Sequence, residues 1–588
     1  MGATVYDGGT TFRVWAPFAE RVAVAGAFNA WSETATPLAP DAPGYWSADV
    51  PGVRAGDEYE FVIVNGHTYW RNDPYARHMT HSAGSSIVHD PAFAWAGDGY
   101  RTPAWNDLVI YEIHTGTFND APGGAPGDFG GVIAKLPYLR DLGVNAIELM
   151  PSMEFATDFS WGYNPAQIFS IESAYGGPDA LKRLIQAAHD LGIAVIFDVV
   201  YNHLGPADLD LWRFDGWSEH GRGGIYFYND DRAHTPWGDT RPDYGRPEVR
   251  QYLRDNVRMW LEEFRFDGLR WDATAYIRNV DGLNDDPAGD IADGWRLMQE
   301  LHGEVDARQP WKLSVAEDLR ENAWITRRPA AGGAGFDSQW DGRFADTVRE
   351  VVIPPDDSVR SMASVAAVVA RTFDGDACRR VIYTESHDEV ANGKARVPQE
   401  IWPGNTGSWY ARKRSTLGAA LVLTAPGIPM LFQGQEFLED EWFRDVTPLD
   451  WSRRDTYAGI VQLYRDLIRL RRNWFDTTRG LQGHHVNVHH VNDGEKMLAF
   501  HRWDRGGPRD DVVVVANFTT RSRTGYRVGF PRPGAWKVRL NSDWNGYGAD
   551  FADQPGFDAE AVPVAWDGMP CSAELGIGAY SVLVLSQE

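Results

Sequence analysis

The stretch GLRWDAT at residues 268–274 decides how the rest of the chain is read. It is a short apolar run that closes on Arg270, Trp271 and Asp272. On a β-strand, side chains alternate between two faces, so Arg270 and Asp272 project together and Trp271 projects the other way. Such a pair at a strand end is either a buried ion pair or half of an active site.

Seven further runs resemble it: LVIYEIH (108–114), AIELMP (146–151), AVIFDVV (194–200), KLSVAED (312–318), GFDSQWD (335–341), RRVIYTESHD (379–388) and PMLFQGQE (429–436). Amphipathic helical patterns lie between them, such as GPDALKRLIQAAHDLG (177–192) and a longer pattern at 349–373 that Pro354 and Pro355 should break. Eight strand-then-helix units predict an α/β fold, a (β/α)8 TIM barrel of parallel strands. Its longest insertion, 204–247, is rich in Gly, Asp, Trp and Tyr, and a loop of that length inside a compact barrel is usually functional. Alternating runs such as TFRVWAP, RVAVAGAF and YEFVIV predict an N-terminal β-sandwich, and DVVVVANF, AWKVRLNSD and AYSVLVLS a C-terminal one. The expected domains are 1–98, 99–478 and 479–588.

At 588 residues the chain exceeds one ordinary core, and 43% hydrophobic with 23% charged residues is globular composition. Lys and Arg number 56 against 82 Asp and Glu, a net charge of -26, which disfavours nucleic acid and anionic membrane surfaces as partners. No run approaches a membrane span, and MGATVYDGG is neither a signal sequence nor a myristoylation site, since Tyr6 takes the Ser/Thr position. A cytoplasmic monomer is expected. Cys378 and Cys571 alone make no disulfide framework. The 25 Trp, 23 Tyr and 27 Phe, together with many acids and amides, suit a carbohydrate, whose C–H faces stack while its hydroxyls hydrogen-bond.

Chemistry in a barrel collects at the C-terminal ends of the strands. Four acids stand there, Asp198, Asp272, Glu317 and Asp388, with His203 just after the first and His387 just before the last. Two converging carboxyls can cleave a glycosidic bond with retention. Arg270 beside Asp272 favours the ionised form that a nucleophile requires. Glu317 has no basic neighbour along the chain before Arg320, so burial is expected to keep a proton on it. His387 and Asp388 can serve one site only where the strand has given way to a turn. No ligand spacing specifies calcium, and no metal or cofactor is expected.

DVVYNH (198–203), GLRWDATAY (268–276), SVAED (314–318) and YTESHDE (383–389) resemble, in order, the four motifs of the α-amylase superfamily, glycoside hydrolase family 13. GAFNAWS (26–32) is similar to the carbohydrate-binding-like sandwich that precedes the barrel in branching, debranching and trehalose-releasing members. The resemblance implies an α-1,4-glucan substrate such as glycogen, starch, amylose or maltooligosaccharides. It implies Asp272 as nucleophile, Glu317 as acid and base, and Asp388, assisted by His387, as stabiliser of the transition state. His203 and Arg270 would bind the cleaved glucose, Asp198 would brace the group, and Tyr163 in WGYNP would stack under the sugar.

LVIYEIHTGTF, SHDEVANGK and the C-terminal stretch resemble 1,4-α-glucan branching enzymes, which implies transfer of the cleaved chain to a 6-hydroxyl. Asp318 and the HLGP that follows DVVYN depart from that pattern towards trehalohydrolases and α-amylases, and Trp271 is larger than the Val or Leu expected there. A maltooligosaccharide-forming α-amylase or a maltooligosyl trehalose trehalohydrolase is therefore the alternative. A glucan-binding protein without catalysis is the reading from another class, opposed by the presence of Asp272, Glu317 and Asp388.

Overall fold

The computed structural model describes residues 1–97 and 99–588; the domain boundary expected at 98 falls outside them. Eight strands hydrogen-bond in chain order into a closed barrel. They are β1 (Ile110–Ile113), β2 (Ala146–Leu149), β3 (Ala194–Val199), β4 (Gly268–Trp271), β5 (Leu313–Ala316), β6 (Ser338–Trp340), β7 (Arg380–Ile382) and β8 (Ile428–Phe432). Each overlaps one of the eight runs read from the sequence. Every residue of β3 is buried, Asp198 included, because helices cover one face of a parallel barrel and side chains fill the other.

The chain divides into two compact units. The first comprises Met1–Tyr100, His114–Lys135 and Glu148–Phe336. It opens with two β-sheets, one built on Gly9–Trp15 and the other on Arg21–Gly26 and Glu58–Asn65. Phe12, Tyr59 and Phe61 meet edge-on in their core. The helix Gly177–Asp190 buries Leu181, Leu184, Ile185 and Ala188, the i, i+3, i+4, i+7 face that a helix must hide. Pro178 stands in its first turn, and Gly192, just past its C-terminal end, takes a φ of +74° that an L-residue adopts only with strain.

In parallel register, Asp198 lies beside Arg270 and Arg270 beside Val315. The backbone after β3 runs without a helix, apart from the short turn Asp231–Ala233, until Pro247 opens the helix Pro247–Arg258. That segment is the insertion expected at 204–247. After β2, the strands Met153–Phe155 and Pro165–Ile171 form an antiparallel hairpin whose connecting loop carries Tyr163.

The second unit comprises Arg101–Ile113, Leu136–Ile147 and Asp337–Glu588. Pro354 and Pro355 interrupt it as expected, between the helices Gly342–Val352 and Met362–Val369. Its C-terminal part is a six-stranded and a two-stranded sheet around Val513, Val515, Phe530, Trp536, Leu583 and Leu585. Among the described residues, no helix is long and apolar enough to cross a membrane.

Candidate active site

β4 ends at Trp271, but the ladder continues one residue further, with Asp272 N–H donating to Val199 O at 3.0 Å. Ala273 then takes a positive φ of +40°, an uncommon conformation for an L-residue. The turn aims the Ala273 N–H at Glu317 Oε2 (2.8 Å), and the Thr274 N–H at Glu317 O (2.8 Å). The strained residue is therefore held by the end of β5, and the nucleophile candidate and the acid candidate share that anchor.

Arg270 is fully buried. Its Nη1 donates to Asp198 Oδ2 (2.6 Å), Asp272 Oδ1 (3.1 Å) and Tyr163 Oη (3.4 Å), and its Nη2 lies 3.0 Å from Glu317 Oε2. Burial works against the guanidinium charge, but Asp198, Glu317, Tyr163 and Asp272 outweigh it and hold the pKa well above the usual arginine value. The expectation that Glu317 lacks a basic neighbour is thus corrected: it holds along the chain but fails in space, because Arg270 reaches Glu317 from the adjacent strand. Within this group three carboxyls face one guanidinium, which favours a proton on one of them.

Asp198 also accepts from Tyr163 Oη at 2.6 Å, so the tyrosine hydroxyl is tied while its ring stands half-buried. Asn202 Nδ2 donates to Asp272 Oδ2 at 3.0 Å, and Asn202 Oδ1 lies 3.1 Å from His203 Nδ1. The His203 ring stacks on Trp237 at 4.6 Å and 19°. Burial, with a smaller contribution from Arg241, lowers its pKa to about 3, so His203 is a neutral hydrogen-bonding group at ordinary pH. The first unit therefore brings together Tyr163, Asp198, Arg270, Asp272 and Glu317, with His203 joined through Asn202.

In the second unit, β7 stops at Ile382, so His387 and Asp388 have left the strand, as the role expected of them from the sequence would require. Glu112 in β1 accepts the His387 backbone N–H at 3.1 Å and lies 2.5 Å from His387 Nδ1. The ring of His387 sits 5.9 Å from that of Trp340 at the end of β6. Asp388 is half-exposed, with Asn392 Nδ2 donating to it at 3.0 Å.

Sequence reasoning missed Asn202, Trp237, Ala273 and Glu112. Asn202 lay inside a quoted motif, and Glu112 was the one acid within the apolar run of β1. Trp237 and Ala273 carried no signal. Two of the departures noted in the sequence, Asp318 and Trp271, have packing explanations. Asp318 accepts two hydrogen bonds from Arg278, both at 2.9 Å, and Trp271 packs edge-on to Tyr201 (4.9 Å) and Phe336 (5.6 Å) on the face away from Arg270. Asp376, Cys378 and His484 offer donor atoms within 4.8 Å of one another, but Asp376 and Cys378 stand at the N-terminal end of β7, away from its catalytic end, and Asp376 already satisfies His484 Nδ1 at 2.8 Å.

Three family models match the chain: the α-amylase catalytic domain over residues 112–212, carbohydrate-binding module 48 (isoamylase N-terminal domain) over 1–76, and the α-amylase C-terminal all-β domain over 488–588. The chain belongs to the α-amylase family, glycoside hydrolase family 13, and is an α-glucan-active enzyme. It is 31% identical to the 1,4-α-glucan branching enzyme GlgB of Marinobacter nauticus over 98% of this chain and 94% of that protein. It is equally 31% identical to GlgB of Dechloromonas aromatica, over 100% and 97%. Solved structures share the fold: a putative α-amylase from Salmonella typhimurium (TM-score 0.73, 22% identity, 100% of this chain and 99% of that one) and a pullulanase from Anoxybacillus (TM-score 0.78, 23% identity, 100% and 87%).

Proposed function

We propose that the protein is a retaining 1,4-α-glucan branching enzyme. The observation that carries the chemistry is the buried Arg270, which touches Asp272 with one nitrogen and Glu317 with the other. Two carboxyls on one guanidinium suit the short separation, about 5–5.5 Å, of a retaining pair. Asp272, kept ionised by Arg270 and oriented by Asn202, attacks the anomeric carbon. Glu317 gives its proton to the leaving 4-oxygen; its Oε2 is engaged by Arg270 and Ala273, so the proton is assigned to Oε1. Asp388 and His387 serve the transition state and the sugar hydroxyls. Tyr163, His203 and Arg270 hold the cleaved glucose, with Asp198 bracing Tyr163 and Arg270. A 6-hydroxyl then returns a proton to Glu317 as its oxygen displaces Asp272 from the glucosyl ester.

Transfer rather than hydrolysis is supported by full-length relatives named as branching enzymes. The reading places the enzyme in the cytoplasm beside a stored α-glucan. Incubation with amylose tests it: iodine colour should fall with few new reducing ends, and many should appear only after debranching. A large immediate rise in reducing sugar overturns branching in favour of an α-amylase, and free trehalose from maltooligosyl trehalose favours a trehalohydrolase.

A further inference from the structure

The hairpin after β2 buries two acids and an amide that the glycosidic chemistry does not use. Glu154, Gln167 and Glu172 are each 1% exposed. Glu154 accepts from Ser173 N (2.9 Å) and Ser173 Oγ (3.2 Å), while Glu172 accepts from Ala174 N (2.9 Å) and Phe155 N (3.3 Å). Both carboxyls are thus held on the same turn at 172–174. Burial pushes both pKa values up, and the charge of Glu172 pushes Glu154 further. Among the described residues no basic side chain pairs with either. A buried acid pair without a cation is an unfinished arrangement.

Gln167 supplies a separate observation. It is the cross-strand partner of Glu154, so both project from one face of the hairpin. Among the described residues, neither its amide oxygen nor its amide nitrogen has a hydrogen-bond partner, although nearly all buried polar groups find one. The register shifts on both sides of Glu154, a local irregularity of the kind that re-aims side chains.

We propose that Glu154, Glu172 and the side-chain oxygen of Gln167 form a binding site for a hard divalent cation, calcium. All the donors are oxygens, and no thiolate or imidazole stands among them to select a softer metal. Carboxylates that also accept backbone N–H groups make an adaptable shell, which suits calcium better than the strict octahedron of magnesium. A bound ion neutralises the acid pair, satisfies Gln167 and clamps the two strands from which the loop bearing Tyr163 departs. The site thereby fixes the base of the loop whose tyrosine meets Asp198.

The experiment uses the full chain stripped with a chelator, then titrated with calcium chloride or, in a separate arm, magnesium chloride, and read by calorimetry and thermal unfolding. Calcium should bind with saturation at one ion per chain and raise Tm. Glu172→Gln should abolish both responses and raise the Tm of the metal-free protein, because one of two like charges is gone. No heat and no Tm shift with millimolar calcium overturns the proposal, as does an undiminished response in Glu172→Gln. If that variant does not fold, Gln167→Leu keeps both acids and should weaken calcium binding about tenfold; unchanged affinity overturns the ligand set. Tighter binding of magnesium than of calcium overturns the choice of ion.

Discussion

The two faces of β4 solve burial in opposite ways. On one face Arg270 is buried with its charge intact, because Asp198, Asp272, Glu317 and Tyr163 surround it. On the other, Trp271 packs among Tyr201, His302 and Phe336, and the one imidazole there, His302, is buried neutral with its pKa lowered to about 4 by desolvation. One strand thus separates a network that needs its charges from a core that cannot hold one. Changes on the first face should act mainly on catalysis, and changes on the second mainly on stability.

The sharpest test of that contrast is Asp272→Asn. The amide retains the size of the carboxylate and its one oxygen can still accept from Arg270, while the bond from Asn202 Nδ2 is lost, so the fold should keep its Tm to within a few degrees. Without a nucleophile, turnover of amylose should fall by about 10⁴-fold or more. A variant that kept even a tenth of the activity would remove Asp272 from the proposed role.

Arg270→Met should damage both properties. It removes the only guanidinium of the group and leaves buried carboxyls uncompensated, a change that costs about 3–5 kcal/mol for a broken buried pair. Denaturant unfolding should show that loss, and the folded fraction should be inactive. Raising the acidity should recover part of the stability, since protonated carboxyls no longer need the cation. Stability unchanged at neutral pH would mean that the charge network is not what holds this face.

Glu112→Gln extends the comparison to the second unit, where a buried carboxylate holds one imidazole rather than sharing an arginine. The amide is of the same shape, but the charge-assisted contact to His387 Nδ1 is lost. Such bonds contribute about 1.5–3 kcal/mol, so kcat/KM should drop by roughly ten- to a hundredfold. Tm should move little. A loss confined to stability would make Glu112 a packing residue.

The barrel was legible because buried parallel strands are continuous apolar runs, and all eight strands overlap the runs that were read. The alternation rule likewise separated Arg270 from Trp271 correctly. What the alternation could not supply was partners from other segments. Arg270 reaches Glu317 only because β4 and β5 are neighbours in the barrel, which no local pattern states. The bulk of Trp271 looked like a departure bearing on reaction outcome, yet its contacts are behind the site. Ala273 gave no hint of its left-handed turn, since alanine has no preference for one; the contacts to Glu317 impose it. Glu112 was passed over because an acid inside an apolar strand reads as an exception until its histidine partner, 275 residues away, is seen.

The smallest effect at neutral pH, and the one that isolates the second face, is that of His302→Gln. His302 Nδ1 lies 2.8 Å from Met298 O and 3.1 Å from Ala334 O, so it carries the hydrogen; its Nε2 has no hydrogen-bond partner among the described residues. Protonation would put a charge against Trp271 and Phe336. The ordinary histidine value is 6.5 and the folded one about 4, so between those values the unfolded chain binds a proton that the folded chain refuses. Stability from this group is therefore full above about pH 6.5 and is lost as pH falls towards 4. At pH 5 the loss should be on the order of 2 kcal/mol. Glutamine can donate to the same carbonyls but does not titrate. Unfolding curves should agree for the two proteins near pH 7.5 and diverge in acid, with the variant the more stable. His203, also buried with a lowered pKa, acts in the same direction in both proteins and cancels from the difference. Parallel curves from pH 7.5 to 4.5 would show that His302 accommodates its proton, and that the apolar face of β4 tolerates the charge the opposite face is built to hold.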